Sequence, residues 1–115
     1  MSFNQILSHL EATEDALLSI LSTGEEKALN SAEIERITGY NPRVQRLIVR
    51  SLRKKHVPVC STSNGYFIAD TDEDIQSSIR IIRSHILSET ETIDNLIKCK
   101  DNIDNYRRYC SNEHN

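Results

Sequence analysis

Residues 31–56, SAEIERITGYNPRVQRLIVRSLRKKH, constrain the chain more tightly than any other stretch. Gly39 is suited to end a helix in a left-handed turn. Pro42 lacks an N–H and fits only the first turn of a helix, where that group would be unpaired anyway. Asn41 stands between them as a ready N-cap. One helix therefore has to stop and another start almost at once. The upstream helix has its own start signal: Asn30 can cap it, and Glu33 three positions on closes a capping box. Ile34 and Ile37 are expected to form its buried side. Two short helices joined this tightly have the spacing of a helix-turn-helix.

The second helix, expected over 42–56, has two chemically distinct faces. At about 100° per residue, Val44, Leu47, Ile48 and Leu52 gather in a broad apolar arc, and Arg43, Arg46, Arg50, Arg53 and Lys54 fall opposite. From Arg36 to Ala69 there are seven basic residues and no acid, while the whole chain carries a net charge of -3, so the remainder must sum to -10. Charge segregated in this way steers an anion toward one patch of an otherwise acidic body.

The flanks are readable from their periodicity. Phe3, Ile6, Leu7, Leu10, Leu17, Leu18 and Leu21 share a face, with Glu11, Glu14 and Asp15 outside it. That predicts a helix over 4–22, with a break near Thr13 and an end at Thr23–Gly24. Ala28–Leu29 is expected to add a very short strand. Beyond His56, which suits a helix end, Pro58 forbids helix and pushes Val57 toward extended backbone. VPVCSTSNGYFIA then reads as a hairpin, with Asn64–Gly65 supplying the positive φ of a tight turn. From Thr71, a cap followed by Asp72, Glu73 and Asp74, the chain turns helical again. Ile79, Ile86, Ile93 and Lys100 occupy one position of a heptad seam; Ile75, Ile82, Glu89, Leu96 and Ile103 occupy the other. The end, YRRYCSNEHN, is expected to fray, with Tyr106 and Tyr109 idle or closing the core.

Several classes of function find no support in the residues. The three cysteines, Cys60, Cys99 and Cys110, form no CxxC pair, and the four histidines are scattered without ligand spacing, so neither a metal nor any other cofactor is expected. GxSxG, HExxH and phosphate-cradling loops are absent, and no enzyme is expected. No run reaches the roughly 18 apolar residues of a membrane span. The N-terminal stretch meets an acid too early for a signal peptide, so a cytoplasmic protein without membrane contact is expected. Aromatics are only 5% and Trp is absent, which suits a small helical core and not a large ligand cavity.

Helix, helix-turn-helix and hairpin, in that order, are the elements of a winged helix. Residues 31–68 resemble the N-terminal winged helix-turn-helix domain of biotin-ligase repressors and of small bacterial and phage regulators. A small-residue start with an acid, Gly39 at the turn, an apolar and basic second helix, VPV and a wing closing on NGY carry the likeness. Asn41-Pro42-Arg43 replaces the usual Ser-Arg opening, and residues 71–115 are expected to be helix where a repressor of that kind carries a ligase or effector domain.

The resemblance implies a winged helix-turn-helix domain over 1–70; with the helix read from the heptads over 71–110, the chain is expected to be mainly α with a small β-hairpin wing and a long C-terminal helix. The resemblance also implies double-stranded DNA as partner, in a transcription regulator or an accessory replication or recombination factor. The N-terminal part of a recognition helix reads base edges, so Arg43, Gln45 and Arg46 are expected there. Arg50, Arg53, Lys54 and Lys55 are expected on phosphates, and Ser63 and Asn64 of the uncharged wing on backbone or minor groove. Ile79, Ile82, Ile86, Ile93 and Leu96 are expected to join two copies into a homodimer. Two other outcomes stay open: the fold docking on a protein partner, and the C-terminal helix folding back on the first helix in a monomer.

Overall fold

A computed structural model describes residues 2–113. The chain is mainly α, with one two-stranded antiparallel hairpin and a long C-terminal helix. The order is α1 (Phe3–Ser8), α2 (Ala12–Ile20), a 3-10 turn (Glu25–Lys27), α3 (Ser31–Thr38), α4 (Pro42–Lys54), β1 (Val59–Thr62), β2 (Gly65–Ile68), α5 (Asp72–Cys99), a second 3-10 turn (Lys100–Asn102) and α6 (Ile103–Glu113). No helix among the described residues is long and apolar enough to cross a membrane.

Two compact units make up the chain, residues 1–81 and 82–115. The division falls inside α5 and not at the 70/71 boundary expected from sequence. The cause is local: Ser78 is buried, and its Oγ accepts the Ser61 N–H of β1 at 3.0 Å, so the first turns of α5 belong with the hairpin.

The core of the first unit is built from Ile6, Leu17, Leu21, Ile34, Ile48, Val49, Leu52, Val57 and Val59, with Cys60 and Phe67 also buried. α3 begins and ends as its residues dictate. Asn30 Oδ1 accepts the Glu33 N–H at 2.9 Å, and Glu33 answers from its own carboxylate. Gly39 adopts φ 80° and donates its N–H to the Glu35 carbonyl at 2.7 Å. Asn41 then caps α4, its Oδ1 accepting the Val44 N–H at 2.9 Å, with Pro42 in the first turn. His56 closes α4 in the left-handed region at φ 66°, a conformation that costs any residue with a Cβ.

The first helical segment differs from expectation. It is two helices, broken at His9–Glu11 and not near Thr13. The α2 start is fixed by Glu14, whose Oε1 accepts the Glu11 N–H at 3.0 Å. Phe3 and Leu7 stay exposed on α1, where only Ile6 reaches the core.

In the hairpin, Val59 pairs with Ile68 and Thr62 with Gly65, leaving Ser63 and Asn64 at the tip. The expected third strand is a single residue: Leu29 and Tyr66 exchange N–H and carbonyl bonds at 3.0 and 2.9 Å. This crossing explains Gly65, which has φ 127°. A Cβ there would lie 1.9 Å from the Leu29 carbonyl oxygen.

α5 starts from a reciprocal cap, Thr71 Oγ1 accepting from the Asp74 N–H at 3.3 Å and Asp74 Oδ2 from Thr71 at 3.2 Å. The C-terminal stretch from Tyr106 stays helical as far as Glu113, contrary to the frayed end read from sequence. Tyr106 and Tyr109 stack edge to face on each other, 5.9 Å between centroids, and both are exposed.

Candidate nucleic-acid interface

The basic helix α4 sorts its residues into three groups, and the sorting follows from position around its axis. Ile48, Val49 and Leu52 face the core. Leu47, expected among them, is 56% exposed, and Ile37 of α3 is likewise turned outward. The buried side of α4 runs from Ile48 through Leu52 and Gln45 to Val49, which the sequence reading left out, and Leu47 lies about 160° round the axis from Val49.

Gln45 is also inside, at 0% exposure. Its Nε2 donates to the Ser31 carbonyl at 2.9 Å and to the Tyr40 carbonyl at 2.8 Å, and its Oε1 accepts from Ser31 Oγ at 3.0 Å. The amide is fully used in tying α3, the turn and α4 together. It has no group left for a base edge, and the readout role expected of Gln45 is withdrawn.

Two of the cations expected on phosphates are engaged as well. Arg53 is half-buried beside the hairpin, its Nε donating to the Val59 carbonyl and one Nη to Ser61 Oγ, both at 2.8 Å. Burial draws its pKa below the ordinary guanidinium value. Lys55 forms an ion pair with Glu14 and donates to the His9 carbonyl at 2.9 Å. Glu14 was expected outside the first helical face; it is 1% exposed. Burial alone pushes its carboxyl up. The bonds from Lys55, the Glu11 N–H and Ser51 Oγ outweigh that and hold it below the usual carboxylate value. Arg53 and Lys55 are therefore fixtures of the fold, correcting their expected role on phosphate.

What remains is a stripe. Arg43, Arg46, Arg50 and Lys54 are all exposed, and none makes an ion pair or a side-chain hydrogen bond among the described residues. At 3.6 residues per turn they lie within roughly 80° of one another along the outer face of α4. Leu47 borders the stripe. Ser63 and Asn64 are exposed at the hairpin tip, where the Asn64 N–H donates to Thr62 Oγ1 at 3.0 Å.

Comparison with protein-family models, with curated proteins and with solved structures gave no match to this chain.

The remaining thiols divide by environment. Cys60 is buried, and burial, aided by Asp74, pushes its thiol up, away from reactive thiolate. Cys99 and Cys110 are exposed and free.

Proposed function

We propose that the chain binds double-stranded DNA by laying α4 in the major groove, in the manner of a winged helix-turn-helix. One observation carries the reading: four uncompensated cations, Arg43, Arg46, Arg50 and Lys54, stand in a single row on the outer face of the second helix of a helix-turn-helix. An acidic chain that spends its other α4 cations on internal bonds, and leaves these without acids, has a surface suited to phosphate. Arg forks match phosphate oxygens or guanine O6 and N7 in pairs. Arg43 and Arg46, nearest the helix N-terminus, take the base edges. Arg50 and Lys54 take phosphates. Leu47 replaces Gln45 in the readout set, since an exposed apolar side chain beside two arginines suits a thymine methyl. Ser63 and Asn64 contribute neutral hydrogen bonds from the hairpin tip.

The test is fluorescence anisotropy on labelled duplex across a salt series. Displacement of counterions by Z phosphate contacts gives a log–log slope near -0.9Z. Two to four contacts per chain from this stripe predict a slope of about -2 to -4. No binding at low salt would turn the stripe into a docking face for an acidic protein, the other reading open to this fold.

A further inference from the structure

In the second unit, Ile86, Ile93, Leu96 and Ile103 are each between 50% and 63% exposed, and Ile82 is exposed beside them. With the charged positions Glu89 and Lys100 they recur at alternating intervals of three and four along α5, through the 3-10 turn and into the start of α6, the pattern of a two-stranded seam. Two charges interrupt it, Glu89 and Lys100, and these decide which partner fits.

We propose that this seam pairs with a second copy of the chain, running antiparallel and centred between Asp94 and Asn95. A parallel pair would set Glu89 against Glu89 and Lys100 against Lys100, two like-charge layers inside the seam. The antiparallel pair removes both at once. Glu89 lies opposite Lys100 of the second copy, and Lys100 opposite Glu89. The same register puts Ile93 on Leu96 and Ile86 on Ile103, and on the flank it places Arg83 beside Asp104. Every layer from Ile86 to Ile103 is then apolar or oppositely charged. Beside the 3-10 turn an open concavity of about 770 Å³, lined in part by Cys99, Ile103, Tyr106 and Cys110, takes the Ile86 side chain of the second copy.

The pairing does not depend on DNA binding.

Sedimentation equilibrium on the full chain tests the register. The wild type is expected at twice 13.2 kDa. Glu89→Lys or Lys100→Glu alone creates two like-charge layers and raises the dimer dissociation constant by about tenfold. The double swap restores it, which also shows that the single variants fold. Oxidation supplies a second readout. A parallel pair would bring the two Cys110 thiols together, whereas the antiparallel pair holds them more than 40 Å apart at about 1.5 Å per residue, far beyond disulfide reach. A 13.2 kDa species at all concentrations, single swaps without effect, or a dimer cross-linked through Cys110 would each overturn the proposal.

Discussion

Arg53 and Lys54 are neighbours in sequence, carry the same charge and sit at the same end of one helix, yet they do opposite things. Arg53 is folded against the hairpin and bound to Val59 and Ser61; Lys54 stands in water with no partner among the described residues. Lys55, the next residue, returns inward to Glu14. A rotation of about 100° per residue is the whole difference. A cation's contribution to this protein is set by the face it occupies, so inward cations should govern stability and outward ones should govern anion binding.

The largest break in that contrast is expected at Lys55. Lys55→Ala leaves the Glu14 carboxylate buried without its counter-charge, which costs about 3 kcal/mol. Equilibrium unfolding at neutral pH measures it. Lys54→Ala should stay within about 0.5 kcal/mol of wild type.

Next comes Gln45→Leu, which fills the site but takes the donors from the Ser31 and Tyr40 carbonyls. About 2 kcal/mol of stability should be lost, read as a lowered denaturant midpoint. A variant with stability intact but sequence preference altered would return Gln45 to the DNA face.

Acid sharpens the comparison at smaller amplitude. The folded pKa of Glu14 lies below its ordinary value of 4.5. Its stabilisation is therefore fully present above that value and is lost as pH falls through the folded pKa. In Lys55→Ala the main opposing bond is gone, burial dominates, and Glu14 can take a proton. The deficit of that variant against wild type should therefore shrink between pH 7 and pH 4. A deficit independent of pH would mean that Glu14 and Lys55 are not coupled.

Local signals carried most of the fold. The α3 and α4 boundaries, the hairpin and the start of α5 were legible because each rests on residues with narrow conformational options: Asn30, Gly39, Asn41, Pro42, Gly65 and Thr71. Interior polar groups were not. Nothing in the pattern around Glu14 or Gln45 marks them as buried, because their partners, Lys55 and Ser31 with Tyr40, come from other turns or other elements. The same limit applies to the site. Sequence placed the cations on one helix, but Arg53 lies at the edge of the basic arc, where the hairpin reaches it, and Lys55, the cap after α4, comes round to the buried side, where Glu14 of α2 meets it. Leu47 was misread because it was grouped with Val44, Ile48 and Leu52, whereas the buried side is centred further round, between Leu52 and Gln45, and leaves Leu47 beside Lys54.

Whether the outward row of α4 is the DNA face is decided by one paired measurement. Binding of Arg50→Ala/Lys54→Ala and of Arg53→Ala to the same duplex would be followed across a salt series, below each variant's melting temperature. The double variant should lose about 1.8 from the magnitude of the wild-type slope, two contacts at 0.9 each, with its stability unchanged. Arg53→Ala should melt earlier while keeping the slope. A double variant with the wild-type slope, or an Arg53→Ala slope reduced by as much, would mean that the outward row is not the DNA face.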